Sequence, residues 1–357
     1  MDSHKITALG LMSGTSLDGL DACLATFTKT DGRWDFKIDA ARGYEYPDDL
    51  KRKLGTEAQQ MSAHDFVAFH SEYGRFLGQR VVDFMQEYGV KPDIVASHGH
   101  TIFHEPDRRI MFQIGDGAAI AAEARVPVVS DFRRLDIMLG GQGAPLVPIG
   151  DRLLFADYDY CLNIGGFSNI SYDEDGVRKA FDISPVNYVL NHYCRQHGLE
   201  FDRDGLIARG GTVDTTLLQA LDSLPFYAQP GAKSLGREWV EQTIYPMLDA
   251  SGLEFADLLA TFTEHAARQV ARVAERVGKP SPTMLITGGG ALNVYLVERI
   301  AELSRCMVKI PSRQIIEFKE ALIFAFLGAL YMAGEASCLS SVTGAAQDNI
   351  GGMLFKI

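Results

Sequence analysis

The sequence predicts an internally duplicated α/β fold with a cleft between its two halves. Strand-like and helical segments alternate along the chain, and a hairpin rich in glycine and hydroxyl residues occurs twice, about a domain apart. At 357 residues, of which 46% are hydrophobic, the chain is long enough for two domains. We place them at residues 1–131 and 132–357, with the option that the C-terminal tail packs on the first lobe.

Apolar periodicity and turn residues define the elements of the first half. A strand over 6–12 enters a turn and returns as a second strand that ends at Phe27. Apolar side chains at helical spacing over 63–88 predict a helix with one face on a sheet. The elements expected after it are a strand over 93–97, a short helix over 115–124 and a strand over 126–129.

The second half repeats the hairpin and ends in a buried helix. Its expected elements are a strand over 158–164, a glycine turn over 165–169, a return strand from 170, a strand over 283–287, a triple glycine at 288–290, a helix through 303 and a buried helix over 321–333. The glycines and prolines of 140–148 predict a compact hinge between the halves.

The composition excludes several classes of protein. A formal net charge of −12 argues against a nonspecific nucleic-acid surface, which needs Lys and Arg to neutralise phosphates. Five single cysteines without C-x-x-C spacing indicate neither a disulfide framework nor a zinc site, and we expect them to be buried in a reducing compartment. The N-terminus has no secretory pattern, and the longest apolar run is shorter than the roughly 20 residues of a membrane crossing. We therefore expect a cytoplasmic protein with no membrane partner.

The first hairpin has the residue types of a phosphate-binding turn. Between positions 13 and 21 it holds two glycines, three hydroxyl side chains and two carboxylates: Ser13, Gly14, Thr15, Ser16, Asp18, Gly19 and Asp21. Backbone amides in such a turn bind phosphate oxygens, and a carboxylate beside them holds water on magnesium. Taken alone, the segment fits an ordinary glycine hairpin equally well. The triple glycine before a helix predicts a second close approach to a ligand, while neither a Walker-A nor a G-x-G-x-x-G spacing is present.

Ten segments then occur in one order along nearly the whole chain. They are LMSGTSLDGLDA at Leu11, SHGHTIFHEP at Ser97, QIGDGAAIA at Gln113, VSDFRRLDIMLGGQGAPLVP at Val129, LNIGGFSNIS at Leu162, FDISPVN at Phe181, DRDGLIARGG at Asp202, KSLGRE at Lys233, ITGGGALN at Ile286 and KEALIFAFLG at Lys319. In these segments the chain resembles the anhydro-N-acetylmuramic acid kinase family, which lies within the ribonuclease-H-like superfamily of actin, sugar kinases and Hsp70.

The resemblance implies a reaction and a setting. The enzyme would use ATP and Mg²⁺ to open the 1,6-anhydro bond of 1,6-anhydro-N-acetylmuramic acid, delivering phosphate to O6 and water to C1. The product would be N-acetylmuramate 6-phosphate, in the recycling of cell-wall peptidoglycan. A homodimer is implied in the same way.

The resemblance also implies site residues, taken position by position. Those implied for ATP and magnesium are Gly14, Thr15, Ser16, Leu17, Asp18, Gly19, Leu20, Asp21, Gly165, Gly166, Gly288 and Gly289, with Asp18 at the metal. Those implied for the sugar are Ser97, His98, Arg133, Asn187 and Glu320. Around the catalytic segment the chain departs from the family pattern at Ile183, Ser184 and Asn191, and at His100 where an amide is usual.

Asp182 is the candidate general base. An ordinary Asp has a pKa near 3.9, so it is ionised at neutral pH and can accept a proton from water. A hydrolase would need a second carboxyl group to protonate the departing oxygen, whereas here the γ-phosphoryl group can capture that oxygen. In the alternative interpretation, Asp182 caps a helix that starts near Pro185.

Further predictions concern charged and polar side chains. Arg133 or Arg134 could hold the lactyl carboxylate of the sugar through a bidentate fork. Glu320 matches a position near the sugar but is equally explained as a first-turn Glu at a helix N-terminus. The cluster His98, His100 and His104 fits no strong zinc pattern, and we expect Ser97, His98 and His100 to end a strand at the sugar pocket.

Other functions remain compatible with parts of the sequence. A kinase of another amino sugar or of a carboxylic acid would share the fold, and so would a nucleotide-driven chaperone or filament protein. A paralogue that binds the sugar without phosphorylating it would account for the changes around Asp182.

Overall fold

The protein divides into two compact units. The computed structural model describes residues 4–14, 17, 19–229 and 233–357. One unit comprises the chain up to Leu154 together with Phe318–Ile357, and the other comprises Phe155–Glu317. Each unit is built around its own sheet.

The described strands and helices account for most of both units. The strands are β1 (His4–Ser13), β2 (Leu20–Thr30), β3 (Arg33–Tyr44), β4 (Ile94–Ser97), β5 (His100–Glu105), β6 (Ile110–Ile114), β7 (Val128–Ser130), β8 (Tyr160–Ile164), β9 (Phe167–Glu174), β10 (Val177–Pro185), β11 (Thr283–Thr287), β12 (Met307–Lys309) and β13 (Met353–Phe355). The helices are α1 (Asp48–Arg52), α2 (Ala63–Tyr88), α3 (Gly117–Ala124), α4 (Arg134–Met138), α5 (Val147–Leu154), α6 (Asn187–Gln196), α7 (Leu206–Gly210), α8 (Thr215–Asp222), α9 (Pro225–Ala228), α10 (Arg237–Trp239), α11 (Tyr245–Ala250), α12 (Phe255–Val277), α13 (Val294–Ser304), α14 (Arg313–Ala333) and α15 (Ser340–Thr343).

The two large sheets share a five-strand topology, to which the first adds β13, and β5 and β6 form a separate two-stranded sheet. In the first unit the order is β13-β7-β4-β1-β2-β3, and in the second it is β10-β9-β8-β11-β12. Each begins with an antiparallel meander of three strands, and the first strand of each meander then pairs in parallel with a later strand. A fifth strand extends each sheet in parallel, β7 in one and β12 in the other. This repeat confirms the predicted α/β fold with internal duplication.

Helix α2 shows how sequence patterning fixes the first unit. It spans the predicted residues, and Ser62 caps it by accepting a hydrogen bond from the Asp65 backbone N at 3.2 Å. Gly89, at φ 62°, ends it in the left-handed conformation that glycine adopts easily. Its buried residues recur every three or four positions and pack into the core: Phe69, Tyr73, Leu77, Val81 and Phe84.

The unit boundary differs from the predicted hinge. Residues 132–154, assigned from sequence to the second lobe, belong to the first unit. The reason is packing of α5 on the long C-terminal helix: a side chain at Gly150 would overlap that of Ile323 on α14. The C-terminal tail belongs to this unit as well, because β13 pairs with β7 at the sheet edge.

The C-terminal helix is longer than its apolar run predicts. Helix α14 begins at Arg313, eight residues before the predicted start, and residues 321–330 are buried throughout. None of the helices within the described residues is long and apolar enough to cross a membrane. All five cysteines are buried free thiols, as predicted.

Candidate active site

The second glycine turn is held by the start of α6. Gly165 and Gly166 follow β8, and their carbonyl groups accept hydrogen bonds from the first residues of the helix. The Val186 N donates to the Gly166 O at 2.8 Å, and the Asn187 N donates to the Gly165 O at 3.4 Å. Three residues implied for ATP and sugar, Gly165, Gly166 and Asn187, are thus in direct contact.

Asp182 lies at a β-bulge four residues before this contact. The register between β9 and β10 shifts between Asp182 and Ser184, and such a bulge redirects a side chain. The Leu235 N donates to Asp182 Oδ2 at 2.8 Å, and the Asp182 N donates to the Lys233 O at 2.9 Å. The carboxylate therefore binds the backbone N of Leu235, and no side chain among the described residues caps α6, so the alternative interpretation as a helix cap is wrong.

The environment of Asp182 favours a proton acceptor. Burial raises the pKa of its carboxyl group, and the hydrogen bond from Leu235 acts in the opposite direction. Oδ1 has no hydrogen-bond partner in the part of the chain that the structure describes. One oxygen is fixed by the protein, and the other is left to accept a proton.

A buried network missed by sequence reasoning supports the segment that binds Asp182. The Lys233 Nζ donates to the Phe226 O at 3.0 Å. The next residue, Tyr227, contacts His265 Nε2 through its hydroxyl at 2.9 Å, and His265 Nδ1 lies 2.7 Å from Asp222 Oδ1. His265 is fully buried, and burial lowers its pKa. The polar residues that interrupt the buried apolar positions of α12, among them His265 and Gln269, are the sequence signal for this network.

The triple glycine forms a tight turn between β11 and α13. Gly288 has φ 79°, and a Cβ there would lie 2.6 Å from the Ile164 O, so glycine is required. Around Gly289 the space is open, which leaves its backbone accessible to a ligand. A 3₁₀ turn, Gly289–Leu292, precedes the helix, and Asn293 caps α13 by accepting from the Leu296 N at 3.0 Å. The predicted strand, turn and helix are confirmed, with this extra turn between them.

The first glycine turn is described only in part. Thr15, Ser16 and Asp18 lie outside the described residues. The Leu17 N donates to the Gly14 O at 3.2 Å. At Gly19 a Cβ would lie 2.6 Å from the Tyr44 O. The Leu20 side chain is buried in the core, so only its backbone could contact a nucleotide, and Asp21 pairs with Met12 across β1 and β2.

Ser97 and His98 lie where β4 ends, beside the end of β1. The Ser97 Oγ accepts from the Gly99 N at 3.2 Å, and the His98 N donates to the Leu11 O at 2.9 Å. His98 Nδ1 lies 2.9 Å from the Gly99 O and 3.2 Å from the Ser13 O. Because both partners are carbonyl oxygens, Nδ1 carries the proton.

The other nitrogen of His98 is surrounded by donors. Its Nε2 lies 2.8 Å from Gln113 Nε2 and 3.0 Å from Arg133 Nη2. Burial, followed by the Arg133 charge, lowers the pKa of His98 to about 3. His98 is therefore a neutral acceptor that fixes two side chains. Gln113 was not predicted as a site residue, although it opens one of the ten segments.

Arg133 and Arg134 have different surroundings. Arg133 Nη1 donates to the Gly143 O at 2.7 Å, whereas Arg134 forms an ion pair with Asp131 at 2.8 Å near the surface. Burial lowers the pKa of Arg133 to about 10, against the opposing charge of Glu320. Arg133 Nε is buried and makes no hydrogen bond to any described residue. Two contacts hold the guanidinium of Arg133 in place, and its Nε is left without a hydrogen-bond partner among the described residues.

A pocket of about 130 Å³ opens beside His98 in the first unit. Its lining mixes polar and apolar side chains: His70, His98, Gly99, Met111, Phe112, Gln113, Gly115, Asp116, Gly117, Ser130, Asp131, Arg134, Met353 and Phe355. Such a lining suits a sugar with polar and apolar faces. Of the residues predicted for the sugar, only His98 lines this cavity, and Ser97, Arg133, Asn187 and Glu320 do not.

The remaining candidates are placed as follows. Glu320 is the eighth residue of α14, so the explanation by a helix N-terminus is wrong. His100 Nδ1 lies 3.0 Å from the Ser13 Oγ, and burial lowers the pKa of His100 to about 4. His104 Nε2 instead contacts the Gln142 O at 2.8 Å. In the described ranges, no group of three or more His, Cys, Asp or Glu is arranged to hold a metal ion.

The buried neutral His98 should make stability depend on pH. Its folded pKa of about 3 lies below its ordinary value of 6.5, so between these values the unfolded chain binds a proton that the folded chain does not. Stability should therefore fall on acidification through this range, by up to about 1.4 kcal/mol per pH unit from His98. Urea unfolding at several pH values should show a shallower dependence for His98→Gln than for the unchanged protein. The exposed His64→Gln is the control, and parallel curves for His98→Gln and the unchanged protein would refute the neutral His98.

The duplicated sheet, with a glycine turn after the first strand of each half, is the fold shared by actin, the sugar kinases and Hsp70, a fold class that does not by itself fix an activity. Comparison with known proteins narrows the class. The family model of anhydro-N-acetylmuramic acid kinases matches residues 6–356. The chain belongs to the anhydro-N-acetylmuramic acid kinase family.

Similar relatives extend over the full length. The anhydro-N-acetylmuramic acid kinase of Xanthomonas axonopodis pv. citri is 36% identical, with 97% of each chain covered. That of Rhodopseudomonas palustris is 34% identical over 98% of this chain and 99% of the relative. Component A of the Acidaminococcus fermentans (R)-2-hydroxyglutaryl-CoA dehydratase has a TM-score of 0.48 at 13% identity, covering 92% of this chain and 100% of that chain. A structural likeness of that size carries no argument on function.

Proposed function

We propose that the protein uses ATP to open the 1,6-anhydro ring of 1,6-anhydro-N-acetylmuramic acid and to phosphorylate O6, giving N-acetylmuramate 6-phosphate and ADP. The single observation that carries the proposal is the family match over residues 6–356. The geometry around Asp182 supports it, because a carboxylate fixed through one oxygen suits activation of water.

The reaction needs two groups: a base that activates water, and a phosphoryl group that accepts the departing oxygen O6. Asp182 Oδ1 takes a proton from water as that water attacks C1. The bond from C1 to O6 breaks and its electron pair stays on O6. O6 then bonds to the γ-phosphorus of ATP, the bond from that phosphorus to the β,γ-bridging oxygen breaks, and ADP leaves with the electron pair. This route needs no general acid, because the departing O6 bonds to phosphorus and does not have to be protonated.

The turns would hold the nucleotide. Glycine backbones at Gly165 and Gly289 fit phosphate or adenosine contacts, since Val186 and Asn187 hold the second turn by hydrogen bonds and Gly289 is open. The resemblance implies the same kind of contact for Gly14. Mg²⁺, held through Asp18, would neutralise charge that develops on the phosphoryl oxygens. A cytoplasmic location, a homodimer and a place in peptidoglycan recycling belong to the proposal and rest on resemblance.

Arg133 would bind the carboxylate of the sugar. Its Nη1 and Nη2 are fixed by Gly143 and His98, and its Nε is a buried donor that makes no hydrogen bond to any described residue. Lys in its place could not make both fixing contacts at once. We expect Arg133→Lys to raise the KM for the sugar about tenfold, the value of one charge-assisted hydrogen bond. Steady-state kinetics checks this, with Arg134→Lys as the matched control. If only Arg134→Lys raises the KM for the sugar, then Arg134 and not Arg133 binds the carboxylate.

Product analysis tests the proposed reaction. The purified protein is incubated with ATP, Mg²⁺ and the anhydro sugar, and the products are identified by mass spectrometry. A sugar product that has gained one water and one phosphoryl group, formed with an equal amount of ADP, is expected. Unchanged sugar, or a phosphorylated sugar that retains its anhydro ring, would contradict the proposal.

A further inference from the structure

Asp136 is a fully buried carboxylate on α4, and the reaction above gives it no role. It accepts hydrogen bonds from distant parts of the chain. Gly143 N donates to Oδ2 at 2.8 Å, while Thr343 Oγ1 and Asn349 Nδ2 donate to Oδ1 at 2.8 and 3.0 Å. A buried charge is costly unless it is paired or hydrogen-bonded. These three donors satisfy the buried carboxylate of Asp136 and hold it in one position.

Gly143 connects Asp136 to Arg133. The amide of Gly143 binds the Asp136 carboxylate, and its carbonyl accepts from Arg133 Nη1 at 2.7 Å. Gly143 has φ 66°, and a Cβ there would lie 2.9 Å from the side chain of Ile137, so the loop fits closely over α4. Fixing the Gly143 amide therefore fixes the carbonyl that holds the guanidinium.

The C-terminal segment clamps the same loop. The Gln142 N donates to the Thr343 O at 2.8 Å, and the Ala346 N donates to the Leu139 O at 3.0 Å. Thr343 thus binds the loop through its carbonyl and binds Asp136 through its hydroxyl. Residues 343–349 lie about 200 positions from Arg133 in sequence, yet they complete its support.

We propose that Asp136 is a positioning residue for Arg133 and that residues 343–349 form part of the carboxylate-binding site through it. The contacts run from Thr343 and Asn349 to Asp136, then through Gly143 to Arg133 and on to His98. This inference rests on the proposed function for the role of Arg133 and adds a specificity-determining support to it. The charge of Asp136 also opposes the effect of burial on the guanidinium.

Thr343→Val removes one hydroxyl donor while conserving shape. Because the carboxylate then loses a partner, Gly143 and Arg133 are held less firmly. We expect the KM for the acid-bearing sugar to rise about 3- to 10-fold, the value of one hydrogen bond, with kcat and the KM for ATP within about twofold. Thr343→Ser should restore the unchanged KM. Ser340→Ala, which removes the exposed hydroxyl that binds Asp348 at 2.7 Å, is the matched control.

Hydrogen exchange provides a readout that does not depend on turnover. Mass spectrometry of the full-length protein should show faster exchange of the amides of 140–146 in Thr343→Val, and normal exchange in Thr343→Ser and Ser340→Ala. Unchanged exchange in Thr343→Val would overturn the proposal. So would a fall in kcat, or an equal rise of both KM values, since these indicate general loosening. If Arg133→Lys raises the sugar KM and Thr343→Val does not, the support by Asp136 is contradicted, while the role of Arg133 in binding the sugar stands. If Arg133→Lys has no effect on the sugar KM while the hydrogen exchange of Thr343→Val changes as expected, the role of Arg133 in binding the sugar is contradicted instead.

Discussion

Asp182→Asn is expected to lower turnover about 100- to 10,000-fold, the usual contribution of a general base. Asn keeps the shape of the side chain and can still accept the hydrogen bond from the Leu235 N. Its amide cannot take a proton from water. We therefore expect kcat to fall while the KM values for sugar and ATP stay close to those of the unchanged protein. Steady-state measurement of ADP formation checks this.

Asp175→Asn is the matched control for Asp182→Asn. Asp175 is an exposed carboxylate at the tip of the same hairpin, in a left-handed conformation that Asn tolerates. It should leave turnover unchanged. Near-normal turnover of Asp182→Asn would remove Asp182 from the role of base. Because burial raises the pKa of Asp182, activity should fall on acidification at a pH above the ordinary Asp value, and this limb should be absent from the residual activity of the variant.

Lys319→Met is expected to cause the largest loss of stability. Lys319 Nζ lies 2.7 Å from Asp151 Oδ1, and both side chains are only 5% exposed. Without Lys319 the Asp151 charge stays in the core without this cation, a change that costs about 3–5 kcal/mol in buried pairs. The pair joins α5 to α14 one residue before Glu320. Urea unfolding measures the loss.

A double variant separates charge from packing in this pair. Asp151→Leu combined with Lys319→Met replaces both charges with apolar groups, which is often neutral for buried pairs. Its stability should therefore be close to that of the unchanged protein. Arg313→Met, which removes an exposed ion pair with Glu317 on the same helix, should have little effect. A mild single variant, or a double variant as unstable as the single, would contradict the buried-pair account.

Local patterns predicted much of the fold because they depend on neighbours in sequence. Helix α2 follows from apolar spacing and its two caps, and β11 follows from an apolar run before glycines. The start of α14 lies outside the predicted helix because its first two turns mix charged residues with Ile315, Ile316 and Phe318 instead of continuing the unbroken apolar run. That error produced the mistaken helix-dipole explanation for Glu320.

The details of the site depend on contacts between distant residues. Asp182 and Leu235 are 53 positions apart, and Asp136 and Asn349 are 213 apart. No periodicity or spacing pairs such residues. The motifs could indicate that Asp182 and Arg133 take part, but the backbone of 233–235 and the loop at Gly143 that hold them became visible only in the folded chain.

Solvent labelling tests the central claim most directly, namely that water activated by Asp182 attacks C1 while the phosphoryl group of ATP captures O6. The protein is incubated with ATP, Mg²⁺ and anhydro sugar in oxygen-18 water, the reaction is quenched early, and the position of the label is read by mass spectrometry. The account predicts one labelled oxygen at C1, none in the phosphate ester, and no ring opening without ATP. Label in the phosphate ester, or ring opening at full rate without nucleotide, would contradict it.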